Sequence, residues 1–517
     1  MDERLAAAWR LLPGYLGQHV LLSACALILG LIISLPLAVA ASRRPRLRWI
    51  ALLLAGMVQT IPSLALLALF FPLLLALSAL SKDVFGAGFS ALGFLPSLLA
   101  LTLYAMLPIL RNATTGILGV DPAVVEAAKG VGMDERQRLF QVELPLAAPV
   151  IMAGVRTAAV WTIGAATLST PVGQTSLGDY IFSGLQTEDW VLVLFGCIAS
   201  AVLALSVDQL LGLIEAGAAK RDRLRIVGGA AGLLAILVVT LAPLALAGAP
   251  ADKVTVGAKN FSEQSVLAEV MASRLRGAGF TVATKTDLGS VVAYRAVASG
   301  EIDAYVDYSG TLWANILKRT DNPPRQAMLA QLTTALKARD GVLVLGPLGF
   351  ENAYALAMPR AKASALGIAS IADLAAHAPS MTLGSDFEFL SRPEWKALQA
   401  AYGLNFRASR RYQPTFMYKA VTTGEVDAIS AFSSDGRLVA DDLVTLTDPK
   451  QAIPPYDAVI LVSPKRANDA RFLAALRPLL GAIPVEAMRK ANLSVDRDTD
   501  KATPAQAAVA LEAAIRK

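Results

Sequence analysis

Up to about residue 250, long stretches free of charge alternate with short arginine-rich clusters. Residues 20–41 carry no charge and are long enough to cross a hydrocarbon core, which takes about 20 helical residues. Residues 49–81 are also uncharged but too long for one straight crossing, and Gln59, Pro62 and Pro72 interrupt them. This stretch predicts a long, bent span with an interfacial or re-entrant portion. Further spans are expected between Asp83 and Arg111, after Pro145, over 190–214 and over 226–247. Arg156 falls inside the fourth span, where a charge is costly in lipid, so it should face protein or a water-filled path, or snorkel to the cytoplasmic end.

Beyond residue 252 the pattern is that of a soluble domain. Strand-like runs at 254–257 and 381–384 alternate with amphipathic helical stretches, an α/β pattern. About 265 residues suffice for two small lobes. The expected organisation is a membrane domain over 1–222, a last span and tether over 223–251, and a soluble domain over 252–517. Lobe 1 is placed at about 252–357 and 456–517, and lobe 2 at about 358–455. The segment ALAGAP at 245–250 reads as a tether, with a signal-peptidase site as its alternative.

Charge placement orients the spans. Arg43, Arg44, Arg46 and Arg48 lie between spans one and two; Arg111, Lys129, Arg136 and Arg138 between three and four. Lys220, Arg221, Arg223 and Arg225 lie between five and six, whereas 167–190 holds no Lys or Arg. Loops rich in Lys and Arg stay in the cytoplasm. Six spans therefore put both termini outside, with the soluble domain on the extracytoplasmic (periplasmic) side of a cell (inner) membrane.

Composition narrows the function. The 517 residues are 55% hydrophobic and 17% charged, against about 25% charged in ordinary soluble proteins. A cytosolic enzyme is disfavoured, and a net charge of +6 gives no nucleic-acid footprint. Cys25 and Cys197 lie in apolar runs, so no disulfide framework is implied. With only His19 and His377, no His-based metal cluster or triad is expected, and no metal site or cofactor is predicted in this chain. No GxxxxGK[ST] loop is present to cradle ATP phosphates.

Two segments of the soluble half repeat. SVVAYRAVASGEIDAYVDYSGT from Ser290 matches PTFMYKAVTTGEVDAISAFSSD from Pro414, pairing Tyr294 with Tyr418, Gly300 with Gly424, Asp303 with Asp427 and Ser309 with Ser433. Upstream, VTVGAKNF and MTLGSDFE repeat a strand–Gly–loop pattern. Each copy reads as a helix ending near its Gly, a buried strand, and a loop with an aromatic beside a hydroxyl. Two such lobes facing each other make a clamshell that holds ligand at the strand ends.

Between spans three and four, residues 126–145 read EAAKGVGMDERQRLFQVELP. Asp121 can cap a helix with Pro122 in its first turn, and Gly130 and Gly132 can end it. A second short helix over 133–144 would lead to Pro145, giving a cytoplasmic helix–Gly–helix elbow. This pattern of Glu126, Ala127, Ala128, Gly132, Leu144 and Pro145 resembles the EAA loop of ABC importer permeases, within 121–145. The resemblance implies that the elbow couples to a cytoplasmic ABC ATPase subunit, which would bind the ATP. QTIPSLALLAL and LYAMLPILRN resemble permeases for glycine betaine, choline and related compatible solutes. VGAKNFSEQ, GEIDAYVDYSGT, the segment at Asn352–Tyr354, SDFEFLSRPEW and AFSSDGR resemble their substrate-binding proteins.

The expected fold is therefore an α-helical polytopic membrane domain of about six spans, type I importer-like, followed by an α/β two-lobed clamshell of type II binding-protein kind. The implied function is ATP-driven import of a quaternary-ammonium solute of glycine betaine type, with ergothioneine, choline or carnitine as alternatives. Two membrane halves around one pathway imply a homodimer in the lipid bilayer. A membrane-anchored solute sensor is the rival of a different class; it calls for a kinase, cyclase or receiver segment, and none is recognised in the 517 residues.

A quaternary ammonium donates no hydrogen bond and is recognised by aromatic faces. The cage candidates are Tyr308, Tyr354, Phe387, Phe389, Tyr412 and Phe432, with Tyr308 first because its DYSGT loop resembles the family's ligand loop. Arg392 can offer a bidentate fork to a ligand carboxylate. Asn260, Gln264, Ser290, Thr311 and Ser433 are further polar candidates, and Asp386 and Glu388 suit a cation that lacks a carboxylate.

Overall fold

Proline decides how the second apolar stretch folds, because the residue before a proline is driven out of helical geometry. The computed structural model describes residues 3–86, 89, 91–186, 189–246, 252–319, 321–497 and 500–515. In it the stretch 49–81 is two helices and not one bent span. Helix α1 covers Glu3–Arg43; α2, Pro45–Thr60, stops at an extended Ile61 (φ −76°, ψ 126°) ahead of Pro62; α3, Ser63–Phe85, follows. Helix α1 also starts well before residue 20, so the first crossing is longer than its charge-free part.

The membrane unit continues with α4 (Phe94–Leu118), α5 (Pro122–Gly130), α6 (Glu135–Arg138) and α7 (Leu144–Ala166), then α8 (Gly178–Gln186), α9 (Trp190–Lys220) and α10 (Arg223–Leu246). A wide π turn at Leu139–Glu143 joins α6 to α7 without a break. Among the described residues, six helical stretches are long and apolar enough to cross a membrane. Most of the tether expected at 245–251 lies outside the described residues.

Inside this unit Arg156 on α7 is fully engaged by α9. Its Nε and Nη2 donate to the two carboxylate oxygens of Asp208 at 2.9 and 2.8 Å, and Nη1 donates to Glu215 at 2.7 Å. Spacings of four and three residues put Asp208, Gly212 and Glu215 on one helix face. Gly212 leaves the room, since a Cβ there would sit 3.3 Å from the guanidinium carbon. Arg156 thus faces protein, and the snorkelling alternative falls.

The soluble unit holds two five-stranded sheets. The strands are β1 (Lys253–Lys259), β2 (Thr281–Leu288), β3 (Ala304–Tyr308), β4 (Leu343–Glu351), β5 (Tyr354–Pro359), β6 (Thr382–Ser385), β7 (Ala408–Arg411), β8 (Ala428–Phe432), β9 (Leu443–Thr445) and β10 (Asp457–Val462). Their orders are β2-β1-β3-β10-β4 and β7-β6-β8-β5-β9. In each the first three strands are parallel and the fourth runs antiparallel. The chain crosses between sheets at Asn352–Ala353, so Tyr354–Ala357, expected in lobe 1, belong to lobe 2 as part of β5.

The repeat is therefore a duplicated βαβ arrangement. Val256 of β1 pairs with Ala304 of β3, and Leu383 of β6 pairs with Ala428 of β8, at equivalent positions. The helices Ser290–Ser299 and Pro414–Thr422 lead to Gly300 and Gly424, with φ of +75° and +76°. Only glycine takes that conformation without a Cβ penalty. Asp303 then accepts from the Thr255 backbone N–H at 2.8 Å, and Asp427 accepts from that of Thr382 at 2.6 Å. The aspartates in both copies thus tie neighbouring strands together.

Candidate functional site

The strand ends of the two sheets enclose a cavity of about 240 Å³. From the first lobe come Lys259, Asn260 and Phe261 after β1, Ser290 at the start of its helix, and Tyr308 and Thr311 after β3. From the second come Tyr354 on β5, Asp386, Phe387 and Glu388 after β6, and Phe432 at the end of β8. Arg392, Arg437 and Tyr456 complete these walls, and the helix Val485–Asp496 adds Asn492 and Asp496. Three cationic side chains face five carboxylates in this lining, so its balance favours a positively charged guest.

Eight of the twelve proposed ligand residues line the cavity: Tyr308, Tyr354, Phe387, Arg392, Phe432, Asn260, Ser290 and Thr311. Phe389, Tyr412, Gln264 and Ser433 do not. Phe389 is fully buried, with ring centroids 5.0 Å from Tyr354 and 5.6 Å from Trp395, so it backs the wall. Tyr412 packs outside the cavity and donates to Glu425 at 3.0 Å. Gln264 donates to the Tyr308 hydroxyl at 3.0 Å, and Ser433 accepts from the Ala353 N–H at 2.9 Å beside the lobe crossing.

Tyr308 and Tyr354 are held more tightly than a free cage requires. Lys259 Nζ lies 4.6 Å from the Tyr308 ring centroid and the Arg392 guanidinium 5.1 Å from that of Tyr354. One face of each ring is thus already turned to a protein cation, and other rings pack around both: Phe261 stacks 6.1 Å from Tyr308, while Phe389 and Phe432 each lie 5.0 Å from Tyr354. The Arg392 fork is also engaged: Nε and Nη2 reach Glu394 at 3.2 Å, Nη1 reaches Glu388 at 3.2 Å, and Nη2 donates to Tyr456 at 3.0 Å. A ligand carboxylate would have to displace the exposed Glu388.

Sequence reasoning missed Glu263 as a site residue. It is buried and accepts from four side chains: Tyr308, Asn352, Ser434 and Asn492, the last two at 2.5 and 2.8 Å. Burial raises its carboxyl above the usual range, while these donors pull it back. Ser434 follows β8 in the second lobe, so Glu263 ties the lobes together and fixes the Tyr308 ring. Lys259, paired with the buried Asp307 at 2.7 Å, was also missed. The partners of Glu263 lie between 45 and 229 positions from it in sequence, and no local pattern signals them.

The first half of the elbow is built as its sequence implies, whereas the second short helix expected over 133–144 runs from Glu135 without a break into the fourth crossing. Asp121 accepts from the Ala123 N–H at 2.8 Å, and Gly132 turns the chain at φ +82°. Asp134 and Gln137 form a capping box that starts α6. Glu126, Ala127, Gly132 and Pro145 are exposed, Leu144 is half-buried and Ala128 is buried. Glu143, not anticipated, is almost fully buried between Arg138 of α6, at 3.0 Å, and Arg43 at the end of α1. It pins the elbow to the first crossing.

Residues 252–511 match the family described as the substrate binding domain of ABC-type glycine betaine transport system, and residues 26–220 match the binding-protein-dependent transport system inner membrane component. The ergothioneine transport permease/ergothioneine binding protein of Helicobacter pylori (strain G27) is 29% identical over 457 residues, 85% of this chain and 79% of that protein. The glycine betaine/carnitine/choline transport system permease protein of Bacillus subtilis (strain 168) is 39% identical over 199 residues, 38% of this chain and 84% of that protein. A solved glycine betaine/carnitine/choline ABC transporter structure covers 51% of this chain and 97% of its own, at 24% identity and a TM-score of 0.45.

Proposed function

Because the chain belongs to the substrate-binding-domain family of ABC-type glycine betaine transport systems and carries a binding-protein-dependent permease in the same polypeptide, we propose that it captures a methylated-ammonium solute outside the cytoplasm and passes it through its own membrane unit. The observation that carries this reading is the cavity: aromatic rings from both lobes, and more carboxylates than cations around them. A quaternary ammonium is stabilised by ring faces and by net negative surroundings.

A separate cytoplasmic ATPase supplies the energy, docking on the exposed elbow around Glu126 and Gly132. A second copy of the chain completes the membrane pathway. Loop charge supports an extracytoplasmic position for the clamshell. Glycine betaine is the first reading of the guest. Ergothioneine is the second, favoured by a relative that matches 85% of this chain and is described as an ergothioneine transport permease/ergothioneine binding protein; choline and carnitine share the ammonium chemistry.

Uptake of radiolabelled glycine betaine, choline, carnitine and ergothioneine tests the proposal, in cells lacking their own carriers that express the chain with its ATPase. Energy-dependent accumulation of at least one compound is expected. Accumulation of none, with the protein present in the membrane, would refute it.

A further inference from the structure

The cavity treats hydrogen-bond donors and acceptors unequally. Among the buried polar side-chain atoms without a partner, those in its lining are Asn352 Oδ1, Asp386 Oδ2 and Asn492 Oδ1, and all three are acceptors. Asp386 is the charged one. The residue is 5% exposed, and its Oδ1 is held in place by the backbone N–H groups of Glu388 and Phe389 at 2.7 and 2.9 Å. Its second oxygen is thus fixed in position with nothing to accept from.

The internal repeat supplies an independent observation. The strand pairings Val256–Ala304 and Leu383–Ala428 bring β1 onto β6 and β3 onto β8. On that register Asp386 occupies the place of Lys259, and Ala431 the place of Asp307. In the first lobe the two positions neutralise each other through the Lys259–Asp307 ion pair at 2.7 Å. In the second lobe an alanine stands where a partner would be. The nearby guanidinium of Arg392 does not fill the gap, since its bonds go to Glu394, Glu388 and Tyr456.

We infer that Asp386 is a specificity-determining residue whose free oxygen accepts a hydrogen bond from an N–H or O–H group of the guest, so that the transported solute carries a donor besides its methylated ammonium. The inference rests on the methylated-ammonium reading above and, within it, moves first place from glycine betaine to the donor-bearing solutes. Leaving a buried carboxylate oxygen unsatisfied is unfavourable, and a guest without a donor leaves it so. Glycine betaine has only acceptors on its polar end. Choline and carnitine offer a hydroxyl, and ergothioneine offers ring N–H groups.

Titration calorimetry on the full chain in detergent tests this with glycine betaine, choline, carnitine and ergothioneine. At least one donor-bearing compound should bind about tenfold or more tighter than glycine betaine, the size of effect expected for a hydrogen bond to a charged acceptor. Capping the donor of the tightest binder with a methyl group should remove that advantage in the unaltered protein. Asp386→Asn keeps Oδ1 for the two backbone donors; it should weaken every methylated ammonium through the lost charge, and the donor-bearing compound about tenfold more than glycine betaine. Equal affinities for glycine betaine and all donor-bearing compounds, or equal weakening of all by Asp386→Asn, would overturn the inference. If no methylated ammonium compound binds at all, the functional reading fails, and this assignment with it.

Discussion

Each half of the chain builds a site around an arginine and two carboxylates, and the two sites are finished differently. In the membrane unit Arg156 takes both oxygens of Asp208 and one of Glu215, and all three lie on two packed helices. In the clamshell Arg392 takes both oxygens of Glu394 and one of Glu388. Glu388 is 58% exposed, and beside it Asp386 keeps one oxygen unpaired. Closed pairing suits a frame that must survive in lipid, where an unpaired charge is costly. Pairing left open suits a surface that receives a guest. The exposed Glu388 and the unpaired Asp386 oxygen separate the site from the scaffold here.

The most damaging way to break the comparison is to unpair the membrane site. Arg156→Leu leaves Asp208 and Glu215 facing each other without a cation. Losing one partner of a fully buried pair costs about 3–5 kcal/mol, and the partial exposure of these three groups brings the cost below that. Loss of most monodisperse protein on mild heating in detergent is expected. Unchanged melting would mean that the triad does not hold α7 to α9.

Next in size is the cavity wall. Tyr308→Leu should weaken ligand binding about 30-fold, equivalent to the ~2 kcal/mol of a desolvated cation–π contact. Tyr308→Phe keeps the ring but takes one of four donors from Glu263, so its affinity should fall between wild type and Leu. Equal affinity for all three would remove Tyr308 from the guest's surroundings.

A smaller structural effect with a clear functional readout is expected at the elbow. Gly132 sits at φ +82° with open space where a Cβ would be, so Gly132→Val meets backbone strain and no clash. The cost is about 1–2 kcal/mol, spent on the surface proposed to meet the ATPase. Uptake should fall at least severalfold while ligand affinity stays within twofold. Wild-type uptake would refute the coupling role.

The smallest effect is a pH dependence of the clamshell. Burial pushes the Asp496 carboxyl up to about 6. Its native value thus exceeds its unfolded one, so the native state holds the proton more strongly, and stability is lost as pH rises from about 4 through 6. Asp496→Asn should match wild type below pH 4 and become relatively more stable above pH 6, read as the melting difference of the soluble unit. A difference constant across that window would contradict the assignment.

How much of this was legible in the sequence follows from the range of the interactions. Long apolar runs marked the crossings because lipid tolerates only a few, paired charges along them. The split of the second stretch is signalled by Pro62, whose extended neighbour Ile61 ends α2 before α3 begins. The duplicated segments anticipated two lobes of one topology, since the same glycine turn and strand-tying aspartate recur in each. Glu143, held by residues up to 100 positions away, left no local mark. Nor did Glu263, whose partner Asn492 is 229 positions away. Phe387 and Phe389 show the limit most plainly. They are two residues apart in one motif, yet one is exposed at the cavity and the other buried behind it, because the Asp386 turn and the short helical turn Phe389–Ser391 decide which way each ring faces.

Charge at the guest is the central claim, and the most direct test compares a cation with its neutral twin. Choline and 3,3-dimethylbutanol share shape and hydroxyl and differ in the nitrogen and its charge. Competition of each against a bound radiolabelled solute on the full chain should show choline binding about 30-fold tighter, again the ~2 kcal/mol of a desolvated cation–π contact. Equal or tighter binding of 3,3-dimethylbutanol would contradict a cavity built for a methylated ammonium.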